Sequence, residues 1–82
     1  MKVKTGPDPT RMWVKEVVLG VETWRREAGA IVAEVTSLSL SGMWLLRIYK
    51  RTQDQSQRTL AERKFPNLLR ACEFAGREWF YE

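Results

Sequence analysis

The sequence predicts an α+β domain, a three- to four-stranded antiparallel sheet with a C-terminal helix packed on one face, and three observations predict it. Residues 43–50 alternate Trp44, Leu46 and Ile48 with Leu45, Arg47 and Tyr49, the two-residue period of a strand with one core face and one mixed face. Residues 31–38 alternate in the same way, Ile31, Ala33 and Val35 against Val32, Glu34 and Thr36, and the small residues Ser39-Leu40-Ser41-Gly42 make a hairpin connection between the two runs. After Pro66-Asn67 the period changes to that of a helix over residues 68–81, with proline suited to a first turn and asparagine to a cap.

Taken in order, residues 1–9 read as a flexible arm, with two lysines, a glycine and two prolines, and residues 10–82 as the single domain. Residues 10–28 fit two patterns. As a helix, Trp13, Val14, Val17, Val18, Val21 and Trp24 form a continuous stripe between Asp8-Pro9 and Gly29, which gives the alternative order α-β-β-β-α. As strand, the same valines and tryptophans favour a pleated surface, and Gly20 costs a helix interior about 1 kcal/mol relative to Ala. The strand reading is preferred, and it places Glu16 and Glu22 on one face with Val14, Val18 and Trp24. Residues 52–57 are a polar loop, and residues 58–65 a short strand with Leu60 as its clearest inward residue, whose Arg58, Glu62, Arg63 and Lys64 suit an edge. In the last element Leu68, Leu69, Cys72, Ala75, Gly76, Trp79 and Phe80 form the stripe facing the sheet, and Glu73 and Arg77 are spaced as an i, i+4 ion pair.

Composition restricts the function classes. The 82 residues include no histidine and one cysteine, so neither a histidine-based triad nor a thiol- and imidazole-ligated zinc site can be written. The five glycines are isolated, which removes the phosphate-binding glycine loops. Three glutamates, Glu16, Glu22 and Glu34, are expected to share the sheet face with arginines as cross-strand ion pairs. The expectation is a non-enzymatic protein with no metal and no cofactor. Cys72 reads as a small core residue. With no apolar run long enough to span a membrane and no leader-like start, the expected setting is the cytoplasm, away from membranes.

Two interaction surfaces remain. The preferred reading is a small interaction module that self-associates as a homodimer, because nine aromatic residues exceed what one small core needs: Trp13, Tyr49, Phe74 and Tyr81 are left over, and Phe74 and Tyr81 with Arg70 and Arg77 form a candidate oligomer interface on the outer side of the last helix. The alternative is nucleic-acid binding on a basic and aromatic sheet face. Its candidate residues are Arg47, Tyr49 and Arg51 on one strand face, Lys50 and Arg58 beside the polar loop, and Arg25 and Arg26 near a turn, in a chain of net charge +4.

Overall fold

Each strand pairs with the one before it. The computed structural model describes residues 10–54 and 56–81, so the arm at residues 1–9 lies outside the described residues. β1 (Val14–Val18), β2 (Val21–Ala28), β3 (Ile31–Leu38), β4 (Met43–Arg51) and β5 (Gln57–Phe65) form one antiparallel sheet in chain order, followed by α1 (Leu68–Glu78). The strand reading of residues 10–28 therefore holds, but with a correction: they are two strands, which brings the sheet to five. Leu19 and Gly20 take φ of 52° and 77°, and Val18 pairs with Val21, so the connection is a two-residue turn with both central residues left-handed. This turn type matches the twist of the flanking strands, and its glycine supplies one of the two required conformations without steric cost.

The turn also reverses the parity of the side chains. Glu16 stands opposite Thr23, and Lys15 opposite Trp24. Glu16 therefore lies on the face away from the helix, while Glu22 and Trp24 lie on the helix side. The expected gathering of Glu16, Glu22 and Glu34 on one face does not form. Glu22 instead accepts the Trp24 indole N–H at 2.6 Å and lies 3.9 Å from the Lys15 ammonium.

The main core lies between the sheet and α1. Ala33, Val35, Leu46, Ile48 and Phe65 supply the sheet side, and Ala71, Cys72 and Ala75 the helix side. The small residues on the helix let its backbone come close to the sheet, where Leu46 and Ile48 are almost fully buried. Each such side chain contributes about 1.5–3 kcal/mol through removal from water. An Ala75→Leu change would overpack this contact. Asn67 caps the helix by accepting the Arg70 N–H at 2.9 Å. The expected stripe needs one correction, since Leu69 is exposed and Ala71 takes the inward position.

At the lower end of the sheet Trp13 is buried and meets Phe80 edge-on, with centroids 6.4 Å apart, and the Arg26 guanidinium carbon lies 4.2 Å from the Phe80 ring centroid. In β5 the partner of Ile48 is Ala61 and that of Tyr49 is Thr59, so Leu60 is the extra residue of a bulge. That is why Leu60 is not the inward residue expected from its hydrophobicity; Ala61 and Phe65 are.

Candidate functional site

The sheet face opposite the helix carries a row of alternating charge. Antiparallel pairing sets Arg25 beside Glu34, Glu34 beside Arg47 and Arg47 beside Glu62, across four strands. Arg25 donates from both Nε and Nη2 to the Glu34 carboxylate, with Nε at 3.1 Å, and Arg47 Nε donates to Glu62 at 3.0 Å. One step along the strands, Arg51 makes a two-pronged contact with Glu27, at 3.0 and 3.2 Å. That pair runs from β4 to β2 and so crosses β3. Beneath this polar layer Val32 is fully buried and Tyr49 nearly so, although both face away from the helix. The face therefore has a small apolar floor of its own.

These contacts set the local titration behaviour. Burial, with Glu34 next to it, pushes the Tyr49 phenol above its ordinary value. The hydrogen bond to Glu34, aided by the fields of Glu34, Tyr49 and Glu16, pushes the Arg25 guanidinium up as well, against the opposing effect of its partial burial. At the lower turn, Asp54 accepts from the Thr52 hydroxyl and from the Ser56 hydroxyl and backbone N–H, which lowers its carboxyl to about 2.

This arrangement corrects the expected basic and aromatic strand surface. Arg25, Arg47 and Arg51 are each held by a glutamate, and Tyr49 is under the polar layer instead of presenting a stacking face. Arg26, Lys50 and Arg58 point to the helix side of the sheet, with Lys50 opposite Arg58. The seven residues do not converge on one surface. Nor are four aromatics left over. Trp13 and Tyr49 are buried, and Phe74 packs on Phe65 with centroids 5.3 Å apart; Tyr81 alone of the four is exposed, at 85%. Arg70 and Arg77 lie in a groove between β5 and α1, where Glu73 and Arg77 do not come within ion-pair distance of each other.

The surface that sequence reasoning missed is the first hairpin. α1 packs on β3, β4 and β5, and leaves β1 uncovered. Met12, Val14, Val17, Val18, Leu19 and Val21 are all exposed, with Val14, Val17 and Val18 between 57% and 64% and Leu19 at 97%. β1 is also an edge strand. In a two-residue hairpin the closing pair exchanges both hydrogen bonds, so Val14, Glu16 and Val18 bond inward to β2, and the N–H and C=O of Lys15 and Val17 point to the open edge. The signal available in the sequence is the run of valines around Gly20, whose period fits a strand or a helix but carries no mark of which element covers it.

No helix among the described residues is long and apolar enough to cross a membrane, and no group of three His, Cys, Asp or Glu side chains is arranged to hold a metal ion. The chain matches no family model, no curated protein and no solved structure.

Proposed function

We propose that the protein is a non-catalytic interaction module that pairs with a second copy of itself through the open edge of β1. The observation that carries this reading is Leu19. It is the most exposed of the large hydrophobic residues of the hairpin, and it holds a left-handed conformation that costs a branched side chain roughly 1–2 kcal/mol, where Asn or Gly would cost little. Neither the turn nor the core accounts for a leucine there. A partner surface does.

The edge is self-complementary in one register. Two β1 strands running antiparallel about a two-fold axis at Glu16 set Lys15 of each copy against Val17 of the other, so that both outward-pointing residues are used and four backbone hydrogen bonds form. Val14 then meets Val18, and Leu19 extends toward Trp13 of the other copy. Covering three half-exposed valines on each chain contributes about 6 kcal/mol per dimer before association entropy is subtracted, which suits a weak, concentration-dependent dimer. Lys15 lays its aliphatic stem along Val17 while its ammonium stays near Glu22.

The test is sedimentation equilibrium on the wild type and on Val17→Lys. The wild type is expected to show a mass that rises toward twice 9.6 kDa with concentration, and Val17→Lys to remain monomeric with unchanged circular dichroism. A wild type that stays monomeric throughout, or a Val17→Lys protein that dimerises equally well, overturns the reading.

A further inference from the structure

We infer that the groove between β5 and α1 is a binding site for the phosphodiester backbone of a single-stranded nucleic acid. The groove, about 330 Å³, is lined by Arg63, Lys64, Arg70 and Arg77 and by the rings of Phe65 and Phe74, with Glu73 as its one carboxylate. Its charge differs in kind from that of the opposite sheet face. There the arginines are neutralised by glutamates at hydrogen-bond distance; here none of Arg63, Arg70 and Arg77 makes an ion pair with a carboxylate among the described residues. Lys64 pairs with Leu45 and turns its side chain to the other face of the sheet, so Arg63, Arg70 and Arg77 against Glu73 leave a net charge of +2 in a single cleft. The first turn of α1 carries no acidic residue, so the positive end of the helix adds to this field instead of being offset.

The cations are also ordered as a track. Arg70 and Arg77 are seven residues apart on one helix, about 10 Å along its axis. Arg63 lines the opposite wall from the edge strand. The Arg63 guanidinium carbon lies 4.9 Å from the Phe74 centroid and 5.3 Å from that of Phe65. The rings thus hold one face of the guanidinium and leave the other for a base to stack on, while Arg70 and Arg77 are placed for phosphates. Stacking on a fixed guanidinium favours nucleic acid over an acidic peptide, which offers carboxylates but no flat rings to this site. A groove of this volume admits a nucleotide or two of a single strand, whereas a rigid duplex meets only its rim.

The experiment is fluorescence anisotropy with short labelled oligo(dT) and oligo(U), beside a labelled polyglutamate peptide and a DNA duplex, over a range of salt concentrations. The wild type is expected to bind a single strand, with log K falling against log salt at a slope of about −1.5 to −2 for two or three phosphate contacts. The double change Arg70→Ala and Arg77→Ala, on the solvent side of the helix and compatible with helical structure, should weaken binding by at least about fivefold and reduce that slope by about 1–2. Glu73→Gln should strengthen binding. Binding of either oligo(dT) or oligo(U) supports the site, and the ratio between them identifies the sugar it prefers. The inference is overturned if no single strand binds at low salt, if polyglutamate binds as well as the oligonucleotides, if the duplex binds more tightly than the single strands, or if the arginine changes leave both affinity and slope unchanged in a folded protein. None of these outcomes depends on the β1 edge, since Val17→Lys leaves the groove intact and can serve as the binding protein.

Discussion

Replacing Glu16 by Gln should tighten self-association, and the expected size follows from the pairing. The register that uses both open residues of β1 puts the two-fold axis at Glu16, so the two carboxylates become direct cross-strand neighbours with Cβ atoms about 5 Å apart. At that separation the repulsion is about 0.8 kcal/mol in water and about 3 kcal/mol at the effective dielectric of a protein surface. The carboxylates can splay toward solvent, and each lies in the field of Arg25, so the lower figure applies. Relief of about 1 kcal/mol corresponds to roughly a fivefold smaller dissociation constant. Sedimentation equilibrium of the wild type and Glu16→Gln under identical salt measures it, and the gap should narrow as salt screens the charges. Equal or weaker association of Glu16→Gln would refute this register, because no other pairing that keeps both faces in register places Glu16 on the axis.

Other outcomes follow from the same geometry. Leu19→Asn should raise the stability of the monomer by about 0.5–1 kcal/mol, because Asn accepts the left-handed conformation, and should weaken dimerisation; urea unfolding at low concentration and sedimentation at high concentration read the two opposite signs. Phe74→Ala should cost about 1.5–2.5 kcal/mol in urea unfolding, half of what a fully buried phenylalanine costs, and leave the mass in solution unchanged because the ring is engaged with Phe65. The raised Tyr49 phenol fixes the sign of an alkaline effect. The fold favours the neutral phenol, so its contribution is complete below the unfolded value of 10.0 and is lost as pH rises through the folded value. Above pH 10 the wild type should lose stability more steeply than Tyr49→Phe, and parallel losses would contradict the burial of this group.

The parts of the fold legible in the sequence were those where period and burial agree. β3 and β4 alternate cleanly because one side of each meets the helix, and Asn67 announced the start of α1 through its capping chemistry. β1 and β2 were not separable because their apolar residues do not report on a core: Val14, Val17 and Val18 stay exposed, so a pattern read as burial continued across the turn at Leu19-Gly20. With the turn unseen, the parity of Glu16 and Glu22 could not come out correctly. Leu60 misled for a different reason, since a bulge adds one residue to a strand without any mark in composition. Of the candidate residues, Arg70 and Arg77 do share a surface, but the arginines of the sheet face could be seen as bound to glutamates only once the register was fixed: Arg51 and Glu27 sit on strands that are not neighbours.

The most direct test of the β1 edge is amide hydrogen exchange resolved by residue, run at low and at high protein concentration. At low concentration the Lys15 and Val17 amides should exchange freely, while those of Val14, Glu16 and Val18, bonded to β2, are protected. At high concentration Lys15 and Val17 should become protected in step with the rise in mass. Lys15 and Val17 amides that remain unprotected while the protein is dimeric would place the contact elsewhere and contradict the account.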